Sequence, residues 1–296
     1  MLVLKLALYA LVFIAGFSFI QVLFAFLLLY LESSLNTHIT KPITSKPTTV
    51  KMVGLFFFEW IFKLFLKLVS YPILFLNSKA KHVAHSKSCI ILLHGYSRNA
   101  VDWLWFKKHL QANGKDIMAL TLPLVTRDLQ TSAKDLSAEL HKLKAQHGYE
   151  EFILIGHSMG GVIASLAVET SPHLKEIVSK VIALGSPFHG TKISVFGVGF
   201  TATQLLPNSS VLNNLRSLMT ISNTDYYCVV TNCDHMILPW DSAIVDNISY
   251  DVVEDIGHLQ LIYSKVVLEL VEANINLNQG TINNECLDSD KDASFN

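Results

Sequence analysis

The stretch Phe152-Ile153-Leu154-Ile155-Gly156-His157-Ser158-Met159-Gly160-Gly161-Val162-Ile163-Ala164 constrains this chain more than any other part of it. An apolar, β-prone run leads in, a helical run leads out, and no loop residues separate them. A strand that passes directly into a helix turns sharply and brings the backbone against its neighbours. Gly156 and Gly160, two before and two after the serine, are the residue type such a turn demands. The turn would lift the Ser158 hydroxyl to the carboxyl end of a sheet and to a helix amino terminus, where the dipole favours developing negative charge. In this setting the segment reads as a nucleophile elbow and not merely as a tight turn.

The surrounding sequence supplies the sheet. Short β-prone runs occur at Cys89 to Leu93, Ile117 to Leu122, Phe152 to Ile155, Val181 to Leu184, Tyr226 to Thr231 and Ser249 to Val253. Helical patterns lie between or after them, at Val101 to Gln111, Thr131 to Gln146, Met159 to Glu169 and Leu259 to Ala273. Alternation of this kind predicts an α/β domain over 82–273, a mostly parallel sheet of about six strands flanked by helices.

A serine hydroxyl becomes a nucleophile only when a base takes its proton and a third group orients the base. Of the 12 histidines, His258 stands just after the last β-prone run, behind Gly257 and at the start of the final helical pattern. His235 and His189 are weaker candidates. The acid should follow the preceding run, and Asp234 in Asn232-Cys233-Asp234-His235 does so. Asp241 is the rival, although a helix cap would also explain it. The anion formed by attack needs two amide donors, and one is the backbone N–H of Met159. The other is expected after the first strand, in Leu93-His94-Gly95-Tyr96, from the N–H of Tyr96. His94 reads as a structural prop for that loop, and Arg98 as a brace or a solvated charge.

These residues together resemble the α/β-hydrolase lipases and esterases, specifically the small bacterial triacylglycerol lipase-like group. The resemblance covers about His82 to Ala273 and also rests on Leu184-Gly185-Ser186-Pro187-Phe188-His189-Gly190-Thr191, where Phe188 stands in place of a histidine in similar lipases. It implies a carboxylic ester hydrolase working through Ser158, His258 and Asp234, without metal or cofactor. It also implies a cap over the site from roughly Lys192 to Leu218, containing the apolar, glycine-spaced Val195 to Phe200. An acyltransferase using the same triad, or a non-catalytic scaffold of the same fold, are the alternatives.

The rest of the chain points to lipid. From Leu6 to Leu31 no residue is charged, and a helix of that length exceeds the ~30 Å hydrocarbon core of a bilayer. The run is too long for the apolar region of a cleaved leader, so residues 1–31 are expected to be a retained anchor, in a bacterial inner membrane. Residues 32–51, rich in Thr, Ser and Pro, read as a linker. In 52–76, Glu59, Lys63 and Lys67 recur every fourth residue among bulky apolar side chains, which fits an interfacial helix better than a second spanning one. Lys5 and the Lys41, Lys46 and Lys51 group give opposing topology signals. Residues 274–296, Asn-rich and then acidic, are expected to be a disordered tail.

Composition agrees: 51% of the 296 residues are hydrophobic and 16% charged. With 23 basic against 24 acidic residues and no dense basic cluster, the chain lacks the phosphate-neutralising footprint of a nucleic-acid binder. The four cysteines are too irregularly spaced for a disulfide framework or zinc site. The expected partners are therefore a membrane and an ester substrate.

Overall fold

The computed structural model describes residues 2–35, 49–77, 84–121 and 127–288. Its strands are β1 (Ser88–Leu93), β2 (Asp116–Leu120), β3 (Glu151–His157), β4 (Val178–Leu184), β5 (Asp225–Thr231) and β6 (Ser249–Val253). They form one sheet in the order β2-β1-β3-β4-β5-β6, and every neighbouring pair is parallel. All six expected runs are strands. The second ends at Leu120, and Leu122 lies outside the described residues.

The helices are α1 (Leu2–Leu35), α2 (Thr49–Asn77), α3 (Leu104–His109), α4 (Leu129–His147), α5 (Met159–Thr170), α6 (Pro172–Ile177), α7 (Phe200–Gln204), α8 (Ser210–Met219) and α9 (Lys265–Asp288). Parallel strands need crossovers, and the crossovers cover both faces of the sheet. Because side chains alternate along a strand, Ile91, Leu93 and Leu154 point to one face. There they meet Leu136 and Leu140 of α4 and Val162 and Leu166 of α5. Ile90, Leu92, Ile153 and Ile155 point to the other, against Trp103, Phe106 and Val267 and Val271 of α9. Helix α4 starts where the Asp128 side chain accepts the Thr131 N–H at 2.8 Å, and stops at Gly148 with φ +74°.

Several boundaries differ from the sequence reading: α1 continues to Leu35 and α2 already begins at Thr49, so both ends of the linker expected over 32–51 are helical. The single helix expected from Leu259 to Ala273 is a 3-10 turn, Leu259–Ile262, followed by α9. Helix α9 then runs past the expected start of a disordered tail, as far as Asp288. Val267, Val271 and Ile275 recur every fourth residue and are all buried, so the apolar stripe carries the helix beyond 273. The Asn274 carbonyl also accepts from Lys180 Nζ at 2.6 Å. Residues 36–48 of the linker and 289–296 of the tail lie outside the described residues.

The sequence placed a cap over 192–218. That stretch folds as a 3-10 turn, Lys192–Phe196, followed by α7 and α8. Among the described residues, Val12–Glu32 of α1 is the one span long and apolar enough to cross a membrane by length and composition. Helices α1 and α2 pack on each other, with Phe19 edge-on to Phe56 and Trp60. They also pack on the sheet domain: Val22, Phe26 and Leu29 of α1 and Leu55 and Phe56 of α2 are buried in one cluster with Cys233 and Leu238.

Candidate active site

Ser158 sits between β3 and α5 with φ +57° and ψ −124°, a conformation that non-glycine residues rarely adopt. Such strain costs about 1–3 kcal/mol and persists only where the surroundings enforce it. Here the Ser158 N–H donates to Leu184 O at 2.8 Å and its carbonyl accepts from Gly161 N–H at 3.1 Å. The flanking glycines are needed for space. A Cβ on Gly156 would lie 2.3 Å from Gly161 N, and one on Gly160 would lie 2.3 Å from Leu93 O. The elbow stands against the loop after β1, where a Cβ on Gly95 would be 3.1 Å from Ser158 Cβ. Strand order reverses between β1 and β3, and such a crevice at the carboxyl ends is where open α/β sheets take ligands.

Asp234 follows β5 and His258 follows β6, and the two meet at 2.7 Å, His258 Nδ1 to Asp234 Oδ2. Both are buried, at 1% and 4% exposure. The other carboxylate oxygen, Oδ1, accepts the N–H groups of Met236 and Ile237, each at 2.8 Å. A carboxylate can only accept, so Nδ1 carries the histidine proton and Nε2 keeps a free lone pair. Gly185 lets this pair approach β4, since a Cβ there would be 3.2 Å from Asp234 Oδ2 and 3.3 Å from His258 Nδ1.

The other sequence candidates lie elsewhere. Asp241 falls in the first turn of the 3-10 helix Trp240–Ala243, whose cap position is Pro239, and it makes no bond to His258. His189 is exposed, with its backbone N–H on Ser242 O. His235 is buried, stacked on Phe26 of α1 at 4.6 Å and edge-on to His258 at 6.4 Å. Burial holds its imidazole well below the ordinary value of 6.5. His94 props the loop after β1 by donating from Nδ1 to Gly95 O at 2.8 Å. Arg98 braces the same loop through a paired contact with the buried Asp102, Nη2 to Oδ1 at 2.6 Å. The phenol of Tyr96 reaches the 192–218 stretch, taking the Val198 N–H at 2.9 Å and donating to the Val198 carbonyl. Met159 is the first residue of α5, where backbone amides have no partner within the helix. Among the described residues, no group of three or more His, Cys, Asp or Glu is arranged to hold a metal ion.

Two neighbours of His258 escaped the sequence reading. His157 donates from Nε2 to the His258 carbonyl at 3.0 Å and lies 4.6 Å from its ring; burial keeps it neutral. Its place inside the elbow was visible, but nothing local pointed across 101 residues to His258. Glu59 of α2 was assigned to the polar face of an interfacial helix. Instead it is fully buried, and its Oε1 accepts the N–H groups of Leu259 at 3.1 Å and Gln260 at 3.4 Å. An acid amid the bulky apolar residues Phe56, Phe57, Phe58 and Trp60 was the available signal.

Residues 89–199 match the family described as alpha/beta hydrolase fold. With the parallel sheet and its strand order, this decides the architecture. The chain has the α/β-hydrolase fold. Solved structures with this fold include the mature form of the Bacillus licheniformis lipase BlEst2, at 16% identity and TM-score 0.56, with 66% of this chain and 95% of that one covered. Aspergillus fumigatus lipase B aligns at 18% identity and TM-score 0.57, over 66% of this chain and 55% of that one. An α/β hydrolase from the metagenome of Mar Chica lagoon sediments aligns at 19% identity and TM-score 0.51, over 66% and 94%. No curated protein matches the chain. At these identities the likeness is one of fold.

Proposed function

We propose that this α/β-hydrolase-fold chain is a membrane-anchored serine esterase or lipase that hydrolyses carboxylic esters, with lipid esters as the substrate class. The observation that carries the reading is the buried Asp234–His258 hydrogen bond at the carboxyl end of the sheet that also bears the strained Ser158. In the reaction, Ser158 Oγ attacks the ester carbonyl while His258 Nε2 takes its proton. The amides of Tyr96 and Met159 hold the oxyanion. His258 then returns the proton to the departing alkoxide, leaving an acyl-serine. A water molecule, deprotonated by His258, cleaves that acyl group and restores Ser158. Asp234 keeps His258 in the tautomer whose Nε2 can accept, and stabilises the imidazolium that forms.

A lipid substrate is supported by the surface around the cap. Val195, Phe196, Val198 and Phe200 are exposed, and Phe196 packs edge-on to Phe24 of α1 at 4.7 Å. The apolar rim of the cap is thus continuous with the exposed face of the N-terminal helix, where Leu23, Leu27 and Leu31 also point outward. Retention of α1 is supported by Val22, Phe26 and Leu29, which are buried against the loop carrying Asp234; a cleaved leader would leave that surface bare.

The test is hydrolysis of p-nitrophenyl esters from acetyl to palmitoyl by the detergent-solubilised protein, beside Ser158→Ala. Turnover that peaks at medium or long chains and disappears in Ser158→Ala is the expected result. Equal turnover by both forms overturns the assignment of Ser158, and a peak at acetyl overturns the lipid substrate. Alkaline extraction of membranes should leave the full-length chain in the pellet; a shortened chain in the supernatant overturns anchoring.

A further inference from the structure

We propose that Glu59 of α2 is a positioning residue for the base His258, so that the N-terminal helix pair forms part of the active site as well as a membrane attachment. The inference rests on the hydrolase reading above. His258 precedes the 3-10 turn Leu259–Ile262 and makes no side-chain cap to it. The amides of Leu259 and Gln260 therefore need an acceptor from elsewhere, and Glu59 Oε1 supplies it from a residue 200 positions earlier. The fit is close. A Cβ on Gly257 would lie 2.2 Å from Glu59 Oε1, so the residue before the base leaves room for this carboxylate. Gly257 N–H in turn donates to Gln260 Oε1 at 2.6 Å, closing the loop on itself.

His258 is then held from three sides: by Asp234 at Nδ1, by His157 at its carbonyl, and by Glu59 at the two amides that follow. Glu59 differs from the other two in what its place costs. It is fully buried, and its second oxygen, Oε2, has no hydrogen-bond partner among the described residues. Burial raises its carboxyl to about 7, partly offset by His258 and by the amide it accepts from Gln260. An apolar residue of similar size would avoid that penalty. It would also strand the Leu259 and Gln260 amides that follow the base, so the carboxylate serves as the fixed acceptor behind His258. Helix α1 braces the partner loop in the same way, through Phe26 stacked on His235 and Val22 and Leu29 packed around Cys233 and Leu238. The acid and base loops are thus both backed by the N-terminal helices.

The test compares Glu59→Gln, Glu59→Asp and Glu59→Ala in the full-length, detergent-solubilised protein, by p-nitrophenyl ester kinetics, rate of fluorophosphonate labelling of Ser158, and thermal unfolding. Glutamine keeps the acceptor oxygen and should retain kcat within about threefold. Alanine removes it, and a base displaced by ~1 Å loses about 100-fold in kcat with KM little changed. Aspartate, one methylene short, should fall between, and carries the test if alanine does not fold. Unchanged kcat and labelling in alanine or aspartate overturn the proposal, as does an equal loss in glutamine and alanine. If the unsubstituted protein labels at Ser158 while the Glu59 variants label equally fast, this inference fails and the hydrolase reading stands. No labelling of the unsubstituted protein overturns both.

Discussion

Asp234→Asn offers a severe test of the site, because the structure dictates which way the new amide would face. Oδ1 of Asp234 accepts two backbone N–H groups, from Met236 and Ile237, at 2.8 Å each. Turning the amide nitrogen toward them would set donor against donor and leave two buried N–H groups unsatisfied, at about 1–3 kcal/mol each. The asparagine oxygen therefore stays on the two amides, and its NH2 faces His258 Nδ1 across the present 2.7 Å contact. Two donors cannot share that contact. His258 must give up its Nδ1 proton and carry one on Nε2, the nitrogen that the proposed reaction needs free to deprotonate Ser158. A histidine locked in that tautomer lowers kcat by about 10⁴, or about 5.5 kcal/mol of transition-state stabilisation. The assay is steady-state hydrolysis of a medium-chain p-nitrophenyl ester, with circular dichroism to verify that both forms are folded. Asp241→Asn runs beside it and should stay within about twofold, since Asp241 makes no bond to His258. A folded Asp234→Asn that loses less than about tenfold refutes the reasoning. A larger loss in Asp241→Asn would transfer the role of the acid.

Two further outcomes concern stability. Gly160→Ala sets a Cβ 2.3 Å from Leu93 O and 2.7 Å from His94 O, both main-chain atoms that cannot swing aside. It should lower stability by about 3 kcal/mol, read as a fall in the denaturation midpoint, and an unchanged midpoint would contradict the packing of the elbow on β1. His157 and His235 are buried neutral, with folded-state values well below 6.5. Below pH 6.5 the unfolded chain binds protons at these sites and the folded chain does not, so stability falls as pH drops, by roughly 1 kcal/mol per histidine over the first unit. Glu59, raised to about 7 from 4.5, acts oppositely: its carboxyl favours the folded state at low pH and disfavours it as pH rises between those values. Two histidines outweigh one acid, so the melting temperature should decline from pH 6.5 to 5.5 and decline more steeply in Glu59→Gln. A flat profile in both forms would show that the histidines are not held neutral.

Much of the sheet domain was legible because a parallel sheet buried on both faces writes itself as short apolar runs. Each of the six runs became a strand, with ends shifted by up to three residues. The elbow was legible for the same reason, since its strand, serine and helix are contiguous. Asp234 and His258 could be chosen by rank after β5 and β6, and they meet. Helix α9 was cut short because its Asn content outweighed a single buried position, Ile275, in the reading of composition. Glu59 illustrates a different limit. Periodicity put Glu59, Lys63 and Lys67 on one face of a helix, but periodicity cannot tell which neighbour a face meets. The neighbour proved to be the loop after β6, at the far end of the chain.

That separation bears on how the protein is made. Glu59 and Leu259 are bonded across 200 residues, and synthesis at about 5–20 residues per second puts roughly 10–40 s between their emergence. For that interval the newborn chain carries two apolar helices, one with an acid awaiting amides that do not yet exist. The Cys233–Leu238 surface that covers Val22 and Phe26 is also made late. A bilayer that receives α1 early would keep this waiting surface from sticking to other chains. The membrane would then act as a holding place during assembly.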